Sequence, residues 1–214
     1  KKPEVLRMIV RSYARHISTE AAASTIIADV RQSNERTMDA KTFADYMEAL
    51  NDLYILEDMR AWNPNIRSKT SIRSTPTRHF VDTSIACRAL GVSPKDLMGD
   101  LESFGLFFED MAVRDLQIYT ESLGGEVLHY RDNAGLECDA VLHLDDGRWG
   151  AVEIKRGGDD NIEAGASTLK QLKSKIEEKS DENAPSFLLV LTAVGGAYRR
   201  EDGVFVAPIN LLKP

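Results

Sequence analysis

Residues 136–155 read LECDAVLHLDDGRWGAVEIK, two apolar runs separated by Asp145, Asp146 and Gly147. A three-residue connection ending in glycine suits an antiparallel hairpin, because glycine takes the left-handed backbone at that place without strain. In this register Leu144 faces Arg148, Asp139 faces Glu153 and Glu137 faces Lys155. The two-residue period of a strand then collects the carboxylates and Lys155 on one face, leaving Cys138, Ala140, Leu142, Val152 and Ile154 for the other. A slip of one residue would scatter the charged set, so everything inferred from it depends on register.

The flanks extend the hairpin into an α/β core. EVLHYRD (126–132) supplies a strand before it, and a helix over roughly Asn161–Lys179 follows, with Leu169, Leu172 and Ile176 on one side. SFLLVLTAVGG (186–196) is nearly unbroken in its apolar character, as expected of a strand covered on both faces, and GVFVAPINLL offers another strand. Upstream, LESFGLFFEDMAVRDLQIYTESLGG predicts a long helix ended by its glycine pair and packed against the sheet. HFVDTSIACRALG predicts a short strand and a helix capped by Asp82 or Thr83 and stopped at Gly91. Strands with helices before and after them indicate layered α/β architecture.

The beginning of the chain has a different pattern. Val5, Met8, Ile9, Ser12 and Tyr13 follow helical spacing, Ser18 stands as the cap of a second helix ending near Arg31, and Thr37 or Asp39 caps a third. YILEDMRAW (54–62) is extended. Three helices and a strand are the element order of a winged helix, so residues 1–62 are expected to form a small winged-helix-like domain. Its third helix carries Asp39, Lys41, Asp45 and Glu48, a poor surface for phosphates and a better one for protein contact. Residues 63–78 read as a linker, and 79–214 as the α/β domain.

Composition narrows the function classes. A chain of 214 residues with 43% hydrophobic content can bury its own core, and a formal charge of −7 opposes wholesale nucleic-acid binding. Between Met59 and Val81, however, Arg60, Arg67, Lys69, Arg73 and Arg78 occur without an acidic residue, either a local nucleic-acid surface or a solvated loop. The two cysteines, Cys87 and Cys138, lack metal spacing and suit reduced thiols in a cytoplasmic protein; no apolar run reaches membrane-spanning length. RGGDD after the hairpin lacks the spacing and the Lys-Ser/Thr pair of a phosphate-cradling loop, which leaves this segment without an ATPase site. The histidines His79, His129 and His143 read as structural or surface residues, and Trp62 and Trp149 as packing residues.

Asp139, Glu153 and Lys155 on one face suit a hard divalent ion, Mg2+ or Mn2+, which takes oxygen ligands and retains water. Such an ion polarises a phosphate and activates water, while a lysine orients that water or offsets developing negative charge. Glu109, in the long helix, stands as a third carboxylate or as a hydrogen-bonding partner behind the ligands. The competing reading is an ordinary cross-strand ion pair between Glu137 and Lys155.

The ordered phrases TFADYMEALNDLYILEDMRAW, RHFVDTSIACRALG, LFFEDMAVRDLQIY and YRDNAGLECDAVLHLDDGRWGAVEIK resemble the C-terminal region of prokaryotic AAA+-type ATP-binding proteins of the DUF4143 type. The resemblance implies an N-terminal ATPase domain absent from this chain, the place where ATP would bind. It further implies a winged-helix region and a PD-(D/E)xK nuclease-like domain, a restriction-endonuclease-like mixed sheet flanked by helices. By that similarity Asp139, Glu153 and Glu109 hold the metal, Lys155 assists the nucleophile, and Gln171 matches a polar helix residue. The expected activity is metal-dependent hydrolysis of DNA or RNA phosphodiester bonds. The alternative is a catalytically inactive DNA- or protein-interaction module that regulates the attached ATPase.

Overall fold

The computed structural model describes residues 2–33, 38–64, 75–178 and 184–213. The chain divides into two units: Lys1–Met59 with Thr75–Met111, and Arg60–Ser74 with Ala112–Pro214. Residues 79–111, assigned from sequence to the α/β domain, group with the helical beginning of the chain.

The first unit contains α1 (Pro3–Arg15), α2 (Ala23–Ser33), α3 (Ala40–Asp52), α4 (Thr83–Leu90) and α5 (Pro94–Gly99). Its core gathers Ile9, Tyr13, Ile26, Phe43 and Phe80, of which Ile9 and Tyr13 lie on the stripe that helical spacing anticipates. Asp39 caps α3 by accepting from the Thr42 N–H, and Asp82 caps α4 by accepting from the Ser84 N–H. Ser18 is not the cap of α2, which begins at Ala23. Its N–H donates to the Arg78 carbonyl and its hydroxyl to the Leu106 carbonyl, so long-range bonds claim the groups that a cap would use. The extended stretch after α3 forms no full strand. It makes isolated antiparallel bridges, Leu56 to Phe80 and Met59 to Thr77. Beneath them Asp110, fully buried, accepts from the Phe80 N–H and the Thr83 hydroxyl and bonds His79.

The division between the units falls within α6 (Leu101–Ser122). The second unit then builds a six-stranded sheet from β1 (Gly125–Arg131), β2 (Glu137–Leu144), β3 (Trp149–Lys155), β4 (Phe187–Thr192), β5 (Tyr198–Arg199) and β6 (Phe205–Pro208). Strand order is β1-β2-β3-β4-β6-β5. The first three strands run antiparallel, β3, β4 and β6 run parallel, and β5 returns antiparallel at the edge. The architecture is a mixed, open α/β sheet. Parallel β3 and β4 require a crossover, which α7 (Asp159–Glu177) provides.

The hairpin has the expected register. Leu144 N–H donates to the Arg148 carbonyl at 2.8 Å, Gly147 sits at φ +86°, and the ladder runs from His143–Trp149 to Ala140–Val152. Residues Trp149–Ile154 are buried without interruption, so β3 is covered on both faces although its sequence includes a glutamate. Trp62 and Trp149 pack with ring centroids 4.6 Å apart, within a core that includes Leu169, Leu172 and Val190. Among the described residues, no helix is long and apolar enough to cross a membrane.

Candidate functional site

The paired backbones of β2 and β3 carry the hairpin as far as Ala140–Val152. At the next position the Asp139 side chain takes over: its Oδ2 accepts the Ile154 N–H at 2.7 Å. The same oxygen accepts from Lys155 Nζ at 3.1 Å, and Lys155 lies 2.7 Å from Glu153 Oε2. A lysine thus bridges carboxylates from neighbouring strands. Glu153 is only 3% exposed.

This burial follows from Gly165 on α7. A Cβ there would stand 3.2 Å from the Glu153 Cβ and 3.3 Å from a Val190 methyl, so the missing side chain lets the helix lie close over the strand. Glycine within a helix signals such an approach, but which surface the helix approaches is not written locally.

Electrostatics follow the packing. Burial first, and the Asp139 charge second, raise the Glu153 carboxyl to about 8, against partial relief from Lys155. For Lys155, burial opposes the charged form, but Asp139 and Glu153 outweigh it and hold the ammonium above its ordinary range. The Cys138 thiol, buried beneath and near both acids, is pushed well above its usual range.

The trio faces a cleft of about 980 Å³. One wall is the turn at Ala134–Leu136, and α7 contributes Ser167, Lys170, Gln171 and Lys175. Two of these lysines are tethered: Lys170 donates to Asp202 at 2.8 Å, and Lys175 pairs with Asp132. The cleft therefore presents carboxylates at its floor and cations and hydroxyls along the helix.

Several sequence expectations receive a different place. Glu137 pairs with Arg131 at 3.1 Å rather than with Lys155, which pairs with Asp139 and Glu153. Glu109 lies in the part of α6 that belongs to the first unit, whereas the cleft is lined from the second. Arg78 is not an exposed contact residue. It is buried, with its guanidinium donating to the Ala21 carbonyl and paired with Asp58. Arg60 is exposed and pairs with Glu126. Arg67, Lys69 and Arg73 lie outside the described residues.

A domain of unknown function, DUF4143, matches residues 104–212, half of the chain. The chain belongs to the DUF4143 family. A second domain of unknown function, DUF8612, matches residues 1–96. Neither a curated protein nor a solved structure matches. The DUF4143 match contains the whole sheet, α7 and the Asp139–Glu153–Lys155 trio.

Among the described residues, no group of three or more His, Cys, Asp or Glu side chains is arranged to hold a metal ion. The donor chemistry nonetheless fits one class of ion. Mg2+ commonly binds through one or two carboxylates and keeps water or substrate phosphate in its other positions. Asp139 and Glu153 are the carboxylates that could serve in this way, beside a cleft of about 980 Å³.

Proposed function

We propose that the DUF4143 domain is a restriction-endonuclease-like phosphodiesterase acting on DNA or RNA with Mg2+ or Mn2+. The observation that carries this reading is the meeting of Asp139, Glu153 and Lys155 at the floor of an open cleft whose helical wall bears Ser167, Lys170 and Gln171. Asp139 and Glu153 would hold the ion, and a bound ion supplies Lewis acidity toward a phosphate oxygen and a more acidic water. Lys155 contributes fixed positive charge where negative charge accumulates during phosphoryl chemistry. Asp139, held by the Ile154 N–H, keeps its carboxylate at the junction of β2 and β3. The α7 side chains offer donors along a backbone.

Glu109 enters this reading only as the helix acid implied by the resemblance. So do a winged-helix-like role for the first unit, a cytoplasmic location and an N-terminal AAA+-type ATPase domain in the full-length protein, with ATP bound there.

A second reading has its own support. Lys155 reaches both carboxylates within 3.1 Å, so the trio is satisfied internally. Such a cluster suits a non-catalytic module that binds nucleic acid or protein for the ATPase.

Cleavage of end-labelled DNA and RNA in Mg2+ or Mn2+ separates the two. The nuclease reading expects metal-dependent fragments and a loss of at least about 100-fold in rate for Asp139→Ala, the scale of removing a direct charge-stabilising group. Glu109→Gln lowers the rate if that residue is the third carboxylate. Cleavage unchanged by Asp139→Ala, or salt-sensitive binding with no turnover, would sink the catalytic assignment.

A further inference from the structure

Far from the carboxylate trio in sequence, the first unit has a groove of about 750 Å³ along α1 and α4. Its floor is apolar and half-buried: Leu6 and Val10 from α1, Ile85 and Ala89 from α4. Its edges are cationic. Arg7 and Arg11 stand on the α1 side and Arg88 on the last turn of α4, all exposed, and no acidic residue lines the groove.

These arginines are unlike most others in the protein. Acidic residues outnumber lysine and arginine by 34 to 27, and Arg15, Arg114, Arg131, Arg148 and Arg200 all have carboxylate partners. Among the described residues, Arg7, Arg11 and Arg88 have no hydrogen bond, ion pair or ring contact. Most other described arginines thus meet a carboxylate, whereas these three stand without one among the described residues around one apolar strip.

We propose that this groove docks an acidic amphipathic helix of a partner protein. The apolar stripe of that helix lies on Leu6, Val10 and Ile85, and Asp or Glu side chains on its two flanks meet Arg7 with Arg11 on one side and Arg88 on the other. The spacing fits. Arg7 and Arg11 are four residues apart on α1, about 6 Å along its axis, which matches carboxylates one turn apart on a facing helix. Helix-in-groove recognition uses this combination of apolar anchors and flanking charge.

Other anionic ligands fit less well. No lining residue is itself buried, so the groove has no enclosed tunnel to take an acyl chain. Nucleic acid would gain from three arginines but would leave the apolar strip unused.

Fluorescence anisotropy tests the proposal on the intact chain with designed helical peptides of about 18 residues, long enough to form helix on binding. The peptides share a leucine stripe at i, i+3, i+4 and i+7 and differ only in Glu, Gln or Lys flanks. The Glu-flanked peptide binds about tenfold or more tighter than the Gln-flanked one, a difference of about 1.4 kcal/mol. Its affinity falls as salt rises from about 50 to about 200 mM. The triple variant Arg7→Glu, Arg11→Glu, Arg88→Glu loses that binding and takes the Lys-flanked peptide instead. Because these side chains have no partners among the described residues, its urea midpoint stays with the parent. Equal affinity for Glu and Gln flanks would overturn the proposal. So would binding of anionic vesicles or duplex DNA that the Glu-flanked peptide fails to displace.

Discussion

Glu153 sits within reach of Asp139's negative charge and Lys155's positive one, beneath the backbone of α7. Its carboxyl is raised to about 8 by burial and by Asp139, so between the ordinary carboxylate range and pH 8 the folded protein holds a proton that the unfolded chain releases. The sign follows directly. Glu153's contribution to stability is fully present below its unfolded pKa and is lost as pH rises through about 8. Replacing it by Gln removes the titration. In urea titrations from pH 5 to 9, Glu153→Gln is expected to flatten the pH profile, gaining on the parent by about 1.4 kcal/mol for each pH unit up to the raised pKa and no further beyond it. A parallel displacement of the two profiles, with unchanged slope, would mean that Glu153 is ionised throughout.

At the scale of elements, the site depends on how closely α7 lies on β3 and β4. Gly165 sets that distance, its absent Cβ facing Glu153 at 3.2 Å and Val190 at 3.3 Å. Gly165→Val must push the helix outward or force neighbouring side chains off their rotamers, a change that typically costs about 1–3 kcal/mol. The urea midpoint should fall by a corresponding amount. Any metal-dependent cleavage should fall with it, because Ser167 and Gln171 move with the helix. An unchanged midpoint would show that the sheet yields freely at this contact. The β2–β3 hairpin is less dependent on its surroundings, since its turn chemistry and its two-residue period already agree.

The whole molecule offers a convenient separation of signals. Both tryptophans, Trp62 and Trp149, belong to the second unit, whereas five of the described helices belong wholly to the first. Each unit has its own apolar cluster, so a single transition is not required. Asp110→Ala deprives the Phe80 N–H and the Thr83 hydroxyl of their buried acceptor, a loss of roughly 3 kcal/mol. The far-UV circular dichroism midpoint should drop, while tryptophan emission keeps its own midpoint. Coincident shifts in both signals would instead make the two units one cooperative block.

Much of this arrangement was legible in the residues alone. The Asp-Asp-Gly turn and apolar alternation set the hairpin register, the unbroken run at Phe187–Thr192 marked a buried strand, and Asp39 and Asp82 announced helix starts. These features are local, decided within a few bonds by backbone strain and side-chain period. The partners of long side chains were not legible. Lys155 chose Asp139 and Glu153 over Glu137, Arg78 went inward to Asp58, and Ser18 bonded to Leu106 instead of opening a helix. Flexible side chains reach any of several partners that the sequence permits, and only tertiary packing decides which are near and which are shielded from water. Local pattern thus suffices to put an aspartate, a glutamate and a lysine on one hairpin, whereas the burial of that glutamate needed α7, distant in the chain, to close over β3.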